Sequence, residues 1–217
     1  MKLEEITKRT LVCEKAVIKE ISRSNLEVYR FIQDEFNNTD VSKNLIFQFV
    51  YCNFYTLDKQ KVDADFIRGY FELMQSLKGS KDLDLVSLLF EVYNIETKRE
   101  RKFHYSFTSK LAHTIDNNIP IWDSRIADLF SLNLKSVQDK KVNGEKFRNC
   151  IITLQEQYEK VISENLLYST LNKFNEKFKE FNLSDTKKLD FIFWSAGRID
   201  INKLSKGADN FLEAYMD

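Results

Sequence analysis

Turn-forming residues are the first shortage: five glycines and one proline in 217 residues. Sheet-rich and α/β folds need more turn punctuation than that, so an all-α chain is the reading that fits. Cysteine is scarce as well. Cys13, Cys52 and Cys150 stand far apart, no pair has metal-ligand spacing, and four-cysteine ligation is excluded. Such sparse, odd cysteine usage suits a reducing compartment. No apolar run reaches membrane-spanning length, and MKLEEITKRTLVCEK carries charges every few residues with no signal-peptide core. A soluble cytoplasmic protein, free of the membrane, is expected. Net charge is also missing, with 33 basic and 33 acidic side chains.

What is present is apolar and aromatic. Forty-three percent of the chain is hydrophobic, with eighteen phenylalanines and nine tyrosines, enough for a large core and against disorder. The charge is unevenly spread. Residues 98–148 carry 11 basic and 6 acidic side chains, whereas residues 51–97 carry 5 and 8. A local basic excess can attract phosphates on a neutral molecule, or it can simply be a solvated surface.

Apolar residues recur at helical spacing nearly throughout. The pattern predicts a first helix through Leu3, Ile6, Val17 and Ile21. It predicts a second behind a Ser24-to-Glu27 capping box, and a third from Asp40 or Ser42 through Phe54, although FQFVYCNFY is β-prone. Asp65 to Lys78 ends at Gly79, and Asp82 to Ile95 reads as a buried central helix. Ser124 to Leu132 is a short helix. Gly144 reads as a break before helices over 145–162 and 165–182, with Phe147, Tyr158, Tyr168, Phe174 and Phe178 facing inward. Ser184 or Asp185 caps a helix ending at Gly197, and a last one spans about Asp209 to Tyr215. The expectation is about ten helices in one compact all-α domain over residues 1–217. Its possible lobes are 1–95 with 145–217, and 96–144.

The segment SFTSKLAHTIDNNIPIWDSRI, residues 106–126, concentrates the rare residues. With Ser106 as N-cap, Phe107, Leu111, Thr114 and Ile115 form one stripe, and Lys110 and His113 lie along another side. Asp116, Asn117 and Asn118 end the helix, Pro120 imposes an extended segment, and Asp123 starts the next helix. This joint brings Lys110 and Asp123 near each other. Plain structural roles fit too: Asp123 as an ordinary cap, Lys110 as a solvated lysine, His113 as a core polar group, Trp122 as a core plug.

The runs Ser106-Phe107-Thr108-Ser109-Lys110-Leu111 and Ile119-Pro120-Ile121-Trp122-Asp123-Ser124-Arg125 resemble the catalytic segment of the helix-hairpin-helix DNA glycosylases, nearest the 8-oxoguanine DNA glycosylase type. Lys187 to Arg198, KKLDFIFWSAGR, is similar to a C-terminal helix of the same group. The resemblance covers about the last half of the chain. Ser106 and Thr108 stand where the family's hairpin usually has glycines, and Tyr105 where proline is common. It implies a two-lobed helix-hairpin-helix glycosylase-like bundle, a lysine nucleophile at Lys110 and a carboxylate base or charge stabiliser at Asp123. The implied activity is that of a DNA glycosylase and abasic-site lyase on an oxidised or modified purine, working through a Schiff base. No metal or organic cofactor is implied. The partner is double-stranded DNA bearing a modified base, and the protein is a monomer.

Candidate phosphate contacts are Ser106, Thr108, Ser109, Arg99, Arg101, Lys102 and Arg125. Candidates for the base pocket or wedge are His104, Tyr105, His113, Trp122 and Trp194, with Phe193 better suited to the core. Two other readings stay open: a non-catalytic helical module that binds DNA or a protein, and a purely structural helical protein. The enzyme needs Lys110 in a concave pocket, whereas the module leaves it in open solvent.

Overall fold

In a computed structural model describing residues 2–57, 62–80 and 82–199, the chain forms eleven α-helices and, among those residues, no strand. They are α1 (Leu3–Val12), α2 (Glu14–Glu20), α3 (Arg23–Asn38), α4 (Leu45–Phe54), α5 (Ala64–Ser76) and α6 (Leu85–Asn94). Then come α7 (Tyr105–Ile115), α8 (Ser124–Phe130), α9 (Lys140–Ser163), α10 (Tyr168–Lys177) and α11 (Asp185–Ala196). The expected helix over Asp209 to Tyr215 lies outside the described residues. Among the described residues no helix is long and apolar enough to cross a membrane.

Capping chemistry explains most boundaries. Ser22, Asn44, Asp63, Asp84, Asp123, Asp139 and Ser184 each accept first-turn amide hydrogen bonds at the N-cap. Several starts therefore differ from the sequence expectation. α3 is capped by Ser22, whose Oγ accepts from the Asn25 amide, and the Ser24 hydroxyl pairs with Ser22 instead of capping. α4 starts behind Asn44, not Asp40 or Ser42, so the β-prone FQFVYCNFY is helical. α7 begins two residues early, with His104 as N-cap in place of Ser106. The first expected helix is divided at Cys13.

Gly144 does not break the chain: α9 runs straight through it. A Cβ there would meet Val86 Cγ1 at 2.8 Å and Phe90 Cζ at 3.3 Å, so the glycine lets α9 pack closely on α6. α10 is shorter than 165–182, and Tyr168, expected inside, is 64% exposed.

The buried apolar residues fall into two large clusters and a smaller one. One joins α1, α2 and the start of α3 to α8, α9, α10 and α11, around Leu26, Ile126, Leu154, Phe174 and Phe193. The second joins the rest of α3 to α4, α5, α6 and α7, around Ile32, Phe47, Tyr51, Tyr70, Phe71 and Leu111. The third gathers Leu89, Tyr105, Trp122, Phe147 and Ile151. The two large clusters part within α3 and again between Ile121 and Ile126. Lys110 stands on a helix of one, and Asp123 leads into a helix of the other.

Candidate functional site

α7 is held at its backbone by a buried tyrosine network. Tyr70 Oη donates to the Phe107 carbonyl (2.9 Å) and Thr114 Oγ1 donates to the Lys110 carbonyl (2.8 Å). Tyr51 Oη lies 3.2 Å from both Tyr70 Oη and Thr114 Oγ1, closing the chain. From the next turn, Ser109 Oγ donates to the Trp122 carbonyl and accepts from the Trp122 amide. Those two bonds tie α7 to the extended segment that Pro120 imposes, and they fix where Asp123 begins α8.

A cavity of about 320 Å³ opens at this joint, a size suited to a small ligand. Its wall includes Lys110, Asp123, Lys187, Asp190, Phe191 and Trp194, with Asn53 to Thr56 at the end of α4. Lys110 is 7% exposed. Its Nζ donates to the Tyr55 carbonyl at 2.9 Å and lies 5.8 Å from the Phe107 ring centroid and 5.9 Å from that of Tyr55. Burial lowers its pKa from 10.5 to about 8, opposed by the charge of Asp123 and helped by that of Lys187. About a tenth of this amine is therefore unprotonated at pH 7, far more than an ordinary lysine offers.

The Tyr55 carbonyl is free to accept because of how α4 ends. The Leu57 amide bonds back to Cys52 and the Thr56 amide to Asn53, a Schellman turn with Thr56 in the left-handed region at φ 56°. Glycine usually holds that position. A β-branched residue there is strained, by about 1–2 kcal/mol.

Asp123 caps α8 through one oxygen only: Oδ1 accepts from the Arg125 and Ile126 amides, each at 2.9 Å. Among the described residues its other oxygen has no part in the cap.

Behind the wall lies a buried polar cluster. Asp190 Oδ1 accepts from Tyr158 Oη (3.1 Å) and from the Ile121 amide (3.3 Å). Its Oδ2 has no hydrogen-bond partner among the described residues, with Lys187 Nζ at 3.9 Å and His113 Nδ1 at 3.8 Å. Burial drives Asp190 up and Lys187 down, each toward its neutral form, while their mutual attraction resists this. His113 is fully buried. Its Nδ1 lies 2.7 Å from the Ile119 carbonyl, which can only accept, so Nδ1 carries the proton and Nε2 accepts from Tyr29 Oη at 3.1 Å. Burial holds this imidazole neutral, its pKa well below the ordinary value.

The structure thus separates the residues named from sequence. Lys110, Asp123 and Trp194 share the cavity. Arg125 stands beside it, its guanidinium 4.6 Å from the Trp194 ring centroid. Arg99, Arg101, Lys102 and His104 line a different depression of about 230 Å³, where His104 stacks on Phe107. Thr108 and Ser109 are fully buried, their hydroxyls bonded to protein carbonyls, so neither is presented to a phosphate; Ser106 is half-buried. Tyr105 and Trp122 pack in the third apolar cluster, donating to Asn143 Oδ1 and to the Leu132 carbonyl. His113 lies behind the wall, and Phe193 is core.

Sequence reasoning missed Lys187, Asp190 and Phe191. The signal was there: 187, 190, 191 and 194 fall at i, i+3, i+4 and i+7, so two charged residues occupy the inward stripe of α11. Among the described residues no group of three or more histidine, cysteine, aspartate or glutamate side chains is placed to hold a metal ion. Compared with known proteins, the chain significantly matches no protein-family model, no curated protein and no solved structure.

Proposed function

We propose that this protein is a DNA glycosylase and abasic-site lyase acting on an oxidised or otherwise modified purine. The observation that carries the reading is Lys110: a buried lysine with a depressed pKa on the wall of a concave cavity that it shares with Asp123. A solvated helical lysine, as a non-catalytic module would carry, has no such setting. The resemblance of residues 106–111 and 119–125 to the glycosylase catalytic segment supports the same assignment.

A base flipped out of the duplex enters the cavity and stacks against Phe191 and Trp194. The neutral Lys110 amine attacks the sugar C1′, and the C1′–N bond breaks with its electron pair leaving on the base. Asp123 offsets the positive charge that builds on the sugar and takes the proton that Lys110 sheds. Asp123 returns that proton to O4′ as the C1′–O4′ bond breaks, which gives a protonated Schiff base; loss of a C2′ proton to water then forms the C2′–C3′ double bond and expels the 3′ phosphate. Arg125, whose guanidinium lies 4.6 Å from the Trp194 ring centroid, supplies positive charge beside the cavity for the phosphates flanking the flipped nucleotide, whereas Arg198, on the same ring, is paired with Glu20 at 3.0 Å.

Borohydride trapping tests this. Wild type incubated with a duplex bearing 8-oxoguanine or an abasic site, then reduced, forms a covalent adduct. Lys110→Gln forms none. Asp123→Asn keeps the cap and the fold but reacts at least 100-fold more slowly. Absence of a wild-type adduct, or equal adduct from Lys110→Gln, refutes the assignment of the nucleophile.

A further inference from the structure

A second lysine faces the same cavity. The Lys187 side chain is 4% exposed, and its Nζ lies 4.4 Å from the Tyr29 ring centroid, 4.8 Å from that of Phe191 and 6.0 Å from that of Tyr55. Those rings attract a cation but offer no lone pair of hydrogen-bond quality. Asp190 Oδ2, at 3.9 Å, balances the charge from beyond hydrogen-bond range. Among the described residues no acceptor stands within hydrogen-bond distance of this ammonium. Lys110, by contrast, spends a donor on the Tyr55 carbonyl. Lys187 Nζ is not fully enclosed, so its donors reach the volume beside it. The open volume that Lys187 lines is the cavity itself.

We propose that Lys187 hydrogen-bonds the accepting edge of the bound base and gives it a proton as it departs. The idea rests on the glycosylase reading and divides the labour between two lysines that line one cavity. Lys110, attached to a neutral carbonyl, is the nucleophile. Lys187, whose ammonium Asp190 supports against the burial that favours the free amine, is the proton donor, and its charge pushes Lys110 toward the free amine. The electron pair of the breaking C1′–N bond spreads over the base. The base takes a proton from the Lys187 ammonium, which becomes a neutral amine and recovers its proton from solvent once the base has left. The preferred substrate is therefore a base that turns a carbonyl oxygen or an unprotonated ring nitrogen toward Lys187. A base that turns an amino group there is rejected, because two donors would meet.

The test uses two duplexes of one sequence, carrying either 8-oxoguanine or a preformed abasic site, which has no base left to expel. Adduct formation is followed in single turnovers for wild type and Lys187→Gln. The expected result is a variant slowed on both duplexes, because Lys110 loses a neighbouring charge that favours its free amine, but slowed at least 100-fold more on the intact base, where the proton donor is also missing. Equal slowing on both duplexes makes Lys187 structural, and no slowing on either makes it idle; each outcome overturns the proposal. If Lys187→Gln fails to fold, the Lys187→Gln/Asp190→Asn double variant removes both buried charges, and the same comparison applies. Wild type that reacts with neither duplex overturns the glycosylase reading itself. Wild type that reacts on abasic DNA alone is a lyase without a base step, which sinks the Lys187 role and leaves Lys110 standing.

Discussion

Lys110→Met should change the protein's stability in opposite directions at neutral and at alkaline pH. Methionine fills nearly the same volume but carries no charge and donates no hydrogen bond. In the folded chain Lys110 loses its proton near pH 8, whereas in the unfolded chain it does so near the ordinary 10.5. Between those values the unfolded chain holds the extra proton, so wild type gains stability as pH rises through that window. Below it, the full cost of keeping a buried ammonium is present, about 3 kcal/mol at about 1.4 kcal/mol per tenfold change in proton affinity. The methionine variant escapes that cost but loses the bond to the Tyr55 carbonyl, worth about 1 kcal/mol. It should therefore be about 2 kcal/mol more stable than wild type at pH 7 and about 1 kcal/mol less stable above pH 10.5. Urea unfolding followed by circular dichroism at both pH values measures this, provided the denaturant slope is unchanged. A stability difference that is the same at both pH values would refute the reasoning, because Lys110 would then be only a hydrogen-bond donor with no costly charge.

The other substitutions probe the scaffold. Gly144→Ala should destabilise by about 1–2 kcal/mol in thermal or urea unfolding although alanine favours helix, because its methyl collides with Val86; a stabilised variant would mean that α6 and α9 are not closely packed there. Thr56→Gly should stabilise by about 1 kcal/mol in urea unfolding by relieving the left-handed backbone, and a loss of stability would argue against that strain. Asp123→Asn should change unfolding free energy by less than about 1 kcal/mol, since asparagine caps helices as well as aspartate, whereas Asp123→Ala should lose about 1 kcal/mol.

The helical class was plain in the sequence because glycine and proline were scarce and apolar residues kept a 3.6-residue period. Helix starts were harder. Ser22 and Ser24 are both capping residues, and Ser22 wins because its Oγ reaches the Asn25 amide. Gly144 misled because glycine signals a break by local propensity, while its actual reason lies on α6, some 58 positions earlier in sequence. For the candidate site, Lys110 and Asp123 were legible as a pair because the Asn-Asn-Ile-Pro turn brings their helices together. Thr108 and Ser109 looked available to a phosphate, yet α7 starts at Tyr105 and turns both hydroxyls inward. The stretch from Asn53 to Thr56 could not be found, because its contribution is a carbonyl direction set by one left-handed residue.

The seam between the two large apolar clusters has a mechanical consequence. Lys110 rides on one cluster, while Asp123, Lys187 and Trp194 ride on or lead into the other, so the cavity's width is the gap between two separately packed bodies of side chains. A molecule lodged there braces one against the other and raises stability in step with its concentration above its dissociation constant.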